Sequence, residues 1–290
     1  MTDIKQEVRQ FYDQVGWEQI NEDIYQNARY EDLRPVSREY IHRCHMRVAR
    51  HLETSGYLLL DAGSGPIQYP EYLNYSQGYK YRVCADISIT ALYEARKRIA
   101  NHGLFVVADI ANLPFKQNVF DGIVTLHTIH HLPEDEHLQA YSDLYRVLKS
   151  QKKAVIVNGW PESQLMTLSD PIIRLSNRIR GLFRRILGQS RPVQRNSKKD
   201  PIKETDSLNK KPKGTFTNRH DVAWVKGEIG SRMPVKIFVW RSVSVRFLRS
   251  LIHPLTGGRF WLRILYWLEE RYPHFFGERG QYPLIVLSKE

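Results

Sequence analysis

Hydrophobic positions change their spacing twice along the chain. In residues 4–53 they recur at helical intervals, first as Val8, Phe11, Tyr12 and Val15, then more loosely as Tyr40, Ile41, Met46 and Val48. Arg34-Pro35-Val36-Ser37 interrupts this region, and Ser37 is placed to cap the second helix. From Tyr57 onward, short continuous apolar runs at 57–60, 81–85, 104–107, 122–126 and 154–157 alternate with helical stretches at 70–77, 89–100 and 134–148. Runs without polar alternation read as strands buried on both faces. Helices between such strands imply a parallel sheet joined by right-handed crossovers. After Trp160 the alternation stops. Residues 161–188 predict an amphipathic helix and 189–218 a polar, basic linker with Pro192, Pro201 and Pro212. Residues 235–245 read as a late strand, 257–276 as an aromatic-rich helix and 282–287 as a final strand.

The expected fold is therefore α/β: a Rossmann-like, doubly wound, mostly parallel seven-stranded sheet, with N-terminal helices and a helical insertion before the last two strands. The chain divides into an N-terminal helical cap (1–53), a Rossmann-like core (54–160), a basic insertion and linker (161–234), and C-terminal strands with the aromatic helix (235–290).

Charge adds a second asymmetry. The net charge is +12, but residues 171–220 hold 14 Lys and Arg against 3 Asp and Glu, so the excess belongs to one segment. A surface basic all round, as in many nucleic-acid binders, is not what this pattern describes. Cys44 and Cys84 are too far apart to form a metal-ligand or redox pair, and no metal site is expected; scarce cysteine suits a reducing cytoplasm. The N-terminus lacks a basic start followed by an apolar stretch, and no apolar run approaches the ~20 residues that span a bilayer. The expectation is a cytoplasmic protein, with peripheral membrane contact as an option.

Chemistry is concentrated at the predicted strand ends. The first ends in Asp61-Ala62-Gly63-Ser64-Gly65-Pro66, where glycines permit a sharp turn and close approach of a ligand to backbone. A dinucleotide fingerprint wants a third glycine where this chain has Gln68, and an acid two residues before the first glycine suits a cationic ligand better than a pyrophosphate. The plain alternative is a tight strand-to-helix turn. The second strand ends in Asp86-Ile87-Ser88: an acid there accepts hydrogen bonds from ribose hydroxyls, Ile87 can pack on an adenine face, and Ser88 or Thr90 can cap the next helix. Asp86 as a helix cap is the structural alternative. The third strand ends in Ala108-Asp109-Ile110, where Asp109 is either an acceptor for an adenine amino group or an ordinary loop carboxylate. The fourth brings Leu126 and His127 to the same rim.

In order and placement, Asp61-Ala62-Gly63-Ser64-Gly65, Asp86, Ala108-Asp109 with Leu113-Pro114-Phe115, and Phe120-Asp121 resemble class I S-adenosylmethionine-dependent methyltransferases over roughly residues 50–160. They are most similar to the small-molecule group that includes the ubiquinone and menaquinone biosynthesis enzymes. The resemblance implies S-adenosyl-L-methionine as cofactor. It places the methionine part in the glycine loop, the ribose on Asp86 and the adenine beside Asp109 and Ile110. Tyr12 resembles an N-terminal aromatic that closes over the cofactor. One departure is Ile67, where many members carry a third glycine.

Methyl transfer is an in-line displacement that needs alignment, and a base only when the nucleophile must lose a proton. His130 and His131, in the loop 127–133, are the candidate bases, weighed against a structural role bracing that loop. His127 is assigned to the cofactor. Trp160 is either a pocket wall or a core residue. The stripe Phe260, Trp261, Tyr266 and Trp267 either joins the acceptor pocket or packs in the core.

In 172–187, Ile172, Leu175, Ile179, Leu182, Phe183 and Ile186 share one helical face, with Arg174, Arg178, Arg184 and Arg185 largely opposite. Such a helix packs on the core, lies on an anionic membrane through residues 171–188, or forms a lid over a hydrophobic site. The leading function is methylation of a small-molecule acceptor, with a hydrophobic one as an option. Lys198, Lys199, Lys203, Lys210, Lys211 and Lys213 keep an RNA or other nucleic-acid acceptor open. Against it, Leu126-His127-Thr128-Ile129 stands where base-amine methylases carry Asn/Asp-Pro-Pro-aromatic, and no cysteine stands there for base C5 chemistry. A non-catalytic cofactor-binding protein is the third reading. Acceptor identity and oligomeric state are not encoded in these patterns.

Overall fold

A computed structural model describes residues 2–17, 19–21, 24–25, 31–186 and 215–290. Helix α1 (Asp3–Phe11) leads into a short antiparallel pair, β1 (Gln19–Asn21) with β2 (Ile24–Tyr25), and then α2 (Arg38–Met46). The repeating part follows as β3 (Gly56–Ala62), β4 (Tyr79–Asp86), α3 (Ile89–Ile99), β5 (Gly103–Val107), β6 (Gly122–Leu126), α4 (His137–Val147) and β7 (Lys153–Val157). Helix α5 (Gln164–Ile186) comes next. After it come α6 (Val222–Trp224), β8 (Val235–Arg241), α7 (Val245–Leu251), α8 (Gly258–Arg271), α9 (Pro273–Arg279) and β9 (Tyr282–Ser288).

Seven strands form one sheet in the order β5-β4-β3-β6-β7-β9-β8. Strands β3 to β7 run parallel, and β9 lies antiparallel to both β7 and β8. Neighbouring residues on each central strand enter opposite layers, as the two-residue period of a strand requires. Leu60, Val83, Ile123 and Ile156 join the core beneath α4, while Leu59, Cys84, Val124 and Val155 join the layer containing Leu92 of α3. Both faces being covered explains why the runs read as continuously apolar. A third cluster joins α2 to the C-terminal helices through Tyr40, Cys44, Val243, Leu248 and Tyr266.

Several local expectations change. Residues 70–77 form a 3-10 turn, Pro70–Ser76, and not an α-helix. The strand expected to reach Val245 stops at Arg241, because the Ser244 side chain accepts from the Phe247 N–H and starts α7. Ser37 makes no cap bond; its backbone is already helical and its hydroxyl donates to Asp32 at 2.6 Å. The aromatic helix breaks at Pro273 into α8 and α9. Phe260, Trp261 and Trp267 of α8 are exposed to solvent, so the stripe enters neither pocket nor core; Tyr266 alone is buried, under the Arg47 guanidinium.

Of the three options for helix α5, packing its apolar stripe on the core is not the one seen. Ile173 is buried, and Ser176 and Arg180 donate to the Ser250 carbonyl of α7. Leu168, Ile172, Leu175, Ile179 and Leu182 are left on the solvent side, between 47% and 75% exposed. The side chains at 183–186 and the lysines at 198–213 lie outside the described residues, as does most of the expected linker. Its last residues, 215–218, are fixed: Asn218 N–H donates to the His130 carbonyl at 2.8 Å. No helix among the described residues is long and apolar enough to cross a membrane.

Candidate active site

The carboxyl ends of β3, β4, β5 and β6 open onto one cavity of about 890 Å³. It lies where the strand order reverses, the place at which an open α/β sheet leaves a crevice. Asp61, Gly63, Ser64, Gly65, Asp86, Ile87, Asp109, Ile110, Leu126, His127, His130, His131 and Tyr12 all line it. Ala62 is the exception, with its side chain in the sheet core.

After β3 the backbone winds through left-handed conformations at Gly63 (φ 73°), Gly65 (φ 53°) and Ile67 (φ 55°). Gly63 has no alternative, since a Cβ there would lie 2.3 Å from the Thr128 hydroxyl oxygen. Ile67 keeps the backbone that glycine would adopt and is fully buried, so the Ile67 departure leaves the loop wound in the same sense. Asp61 does not stand alone: Arg82 donates to its Oδ2 through Nε (3.0 Å) and Nη2 (2.5 Å), and both residues are buried.

Asp86 has no ion-pair partner among the described residues. Its Oδ2 accepts from Gly65 N–H and its Oδ1 from Ser88 N–H, each at 2.8 Å. Burial pushes its carboxyl up to about 6 despite those two N–H groups. Of the two possible caps on α3, Ser88 serves: its hydroxyl accepts from Ala91 N–H at 3.1 Å and donates to Asp13 at 2.5 Å. Asp109 accepts from Ala111 N–H through Oδ1, while its Oδ2 is paired with Lys5 of α1, which also pairs with Glu136.

The N-terminal segment forms a roof. Lys5, Val8, Phe11, Tyr12 and Trp17 line the cavity, and the Tyr12 and Trp17 rings stack 5.1 Å apart. The Tyr12 hydroxyl donates to His131 Nε2 at 2.8 Å, and His131 Nδ1–H donates to the Phe216 carbonyl at 2.8 Å, so both ring nitrogens are engaged. His130 Nδ1–H donates to Asn158 Oδ1 at 2.5 Å, which leaves the lone pair on Nε2.

Residues 60–156 match a family model described as a methyltransferase domain. Over those residues the chain carries a methyltransferase domain. A protein of Methanocaldococcus jannaschii is 29% identical over 101 residues, 35% of this chain and 40% of that protein, so the match spans two fifths of the relative's length. The fold is shared with geranyl diphosphate C-methyltransferase from Streptomyces coelicolor A3(2), at TM-score 0.53 and 14% identity, covering 100% of this chain and 99% of that one. It is also shared with the [4+2]-cyclase SpnF, at TM-score 0.53 and 16% identity, covering 99% and 97%.

Within the methyltransferase domain, burial drives His127 down to about 3 and His131 to about 4, and holds His130 well below its ordinary range. The nearby Arg219 guanidinium depresses all three further. The loop thus presents neutral imidazoles at neutral pH.

The same cavity is also lined by residues that the motifs did not reveal: Tyr69, Tyr72, Arg219, Trp240, Arg241 and Tyr282, with Ser244, Arg246 and Arg249 of α7 and its cap, and this part of its wall is referred to as the second lobe. His127 sits 5.1 Å from the Trp240 ring and 5.7 Å from the Tyr282 ring. Arg241 is buried against Glu31, which its charge holds down at about 2 despite burial. His45 stacks on Trp240 at 5.2 Å. Trp160 is core, its indole N–H donating to the Gly277 carbonyl.

Proposed function

We propose that this domain transfers the methyl group of S-adenosylmethionine to a small-molecule acceptor held in the second lobe. The observation that carries this reading is the convergence of the Gly63–Gly65 loop, Asp86, Asp109 and the histidine loop on one cavity of about 890 Å³, whose wall also includes Tyr69, Trp240 and Tyr282. Asp86 fits the cofactor on its own chemistry, since a buried carboxylate without a cation suits a ligand that brings hydroxyl donors. In this assignment Asp86 takes the ribose, Ile87 and Ile110 flank the adenine, and Asp109 shares its carboxylate between Lys5 and the adenine amino group. The glycine loop with Asp61 and Ser64 holds the methionine part. Leu126 and His127 stand at the sulfonium end, under Tyr12.

The bound cofactor supplies a methyl carbon already activated by positive sulfur. The residues then align the acceptor and keep water out. His131, with both nitrogens engaged, positions Tyr12; His130 Nε2 is the atom left to take a proton, and only a weak one. Incubation with methyl-labelled S-adenosylmethionine and a desalted cell extract should put label into the small-molecule fraction. Label in RNA alone, or binding of cofactor with no label in any fraction, contradicts this assignment.

The solvent-facing Leu168, Ile172, Leu175, Ile179 and Leu182 support a second proposal, contact with an anionic bilayer. Charge favours that partner, because Arg174 and Arg178 are exposed on the same helix and residues 171–220 carry 14 basic against 3 acidic residues. The protein should sediment with phosphatidylglycerol vesicles and not with phosphatidylcholine vesicles. Ile172→Asp with Leu175→Asp should abolish sedimentation; retention by the double variant would refute the contact.

A further inference from the structure

Most charged groups around the cavity are paired; on the cofactor side the Asp86 carboxyl is not, and on the acceptor side a cation stands without a carboxylate among the described residues. Arg82 neutralises Asp61, Lys5 lies between Asp109 and Glu136, Arg241 pairs with Glu31, and Arg246 pairs with Asp170 at 3.1 Å. Arg219 has no carboxylate partner among the described residues. It lies beside the histidine loop, packed on Gly159, where a Cβ would meet its guanidinium carbon at 3.4 Å. An arginine left unpaired next to the position assigned to a cationic sulfonium is repelled by it unless an anion lies close to both.

Hydrogen bonding points the same way. The Arg219 Nε–H, the Trp240 Nε1–H and the Arg241 Nε–H are buried and without acceptors among the described residues, and all three residues line the second lobe. Trp240 and Arg241 are each 2% exposed, so water does not reach these groups freely. Buried donors are almost always paired, and three orphans on one wall indicate an acceptor-rich ligand. A guanidinium fork matches the paired oxygens of a carboxylate or phosphate. The remaining wall, Tyr69, Tyr72, Trp240 and Tyr282, is aromatic and suits an apolar body.

We propose that the methyl acceptor is a small molecule with an apolar body and an oxyanion, carboxylate or phosphate, and that Arg219 holds the oxyanion. This deepens the assignment of the second lobe and rests on it. The test uses the full chain loaded with S-adenosylhomocysteine and three probes of similar size at constant ionic strength: phenyl phosphate, benzoate and benzyl alcohol. At least one anion should bind ten times or more tighter than the alcohol, and the preferred anion identifies phosphate or carboxylate. Arg219→Gln should weaken that anion tenfold or more, Arg219→Lys less, with the affinity for S-adenosylhomocysteine within threefold of wild type in both. Equal affinity for all three probes, or an anion affinity unchanged in Arg219→Gln, overturns the oxyanion site. Failure of the wild type to bind S-adenosylhomocysteine would instead overturn the cofactor assignment, which the same titrations read separately.

Discussion

Asp86→Asn should weaken S-adenosylhomocysteine binding at pH 7.5 by one or two charge-assisted hydrogen bonds, each about 1.5–3 kcal/mol, or roughly ten- to 150-fold per bond. The structure gives this effect a pH signature. Burial raises the Asp86 carboxyl to about 6, and ribose hydroxyls donate to its ionised form. Wild-type affinity should therefore be level above about pH 7 and fall by about tenfold per unit below pH 6, while the variant stays level. For the ligand-free fold the sign is reversed. The native state holds this proton more tightly than the unfolded chain, so Asp86 costs stability above pH 6 and that cost disappears as the pH falls toward the unfolded value. Calorimetric titrations at pH 5, 6 and 7.5 check both parts. An affinity in Asp86→Asn equal to wild type at pH 7.5 would remove Asp86 from the ribose.

Arg82→Met should lower the free energy of unfolding by about 3–5 kcal/mol, the cost of leaving a buried carboxylate without its cation. Arg82 is fully buried and Asp61 nearly so, and Arg82 also donates to the Tyr72 carbonyl at 2.5 Å. The pair lies beneath the glycine loop, so its loss should also loosen that turn. Adding Asp61→Asn to Arg82→Met should recover part of the stability, because an amide tolerates burial better than a lone charge. Urea denaturation with an unchanged slope measures the difference. A loss below about 1 kcal/mol would mean that the two charges do not depend on each other.

Arg82 also marks the limit of what the sequence reveals. The apolar runs located all seven strands of the main sheet, most plainly the central parallel ones, which are covered on both faces and carry few polar positions that disguise them. An arginine within such a run, at the second strand, has meaning only once register is known. Parallel pairing sets Leu59 beside Arg82 and Asp61 beside Cys84, and the guanidinium then reaches forward to Asp61. The strand-end motifs were legible for a related reason, since Gly63, Asp86, Asp109 and His127 each lie at the end of a strand or within two residues of it, and the sheet alone brings them together.

The roof and the second lobe were not legible. Val8, Phe11 and Tyr12 announced a helix, but nothing local says what a helix covers; Lys5 beside them carried no signal of a partner 104 residues away. Arg219 stands at the edge of a basic segment where one more arginine is unremarked, and Trp240 and Arg241 end a strand with no motif. Phe260, Trp261 and Trp267 misled because their spacing fixes which residues share a face, not whether that face meets protein or solvent.

The most direct measurement is a crystal structure of the protein with S-adenosylhomocysteine. The ribose hydroxyls should lie on Asp86, the adenine between Ile87 and Ile110, and the sulfur at the His127 end of the cavity facing Trp240. Density for the ligand anywhere else, or none at saturating concentration, would contradict a site built from these strand ends.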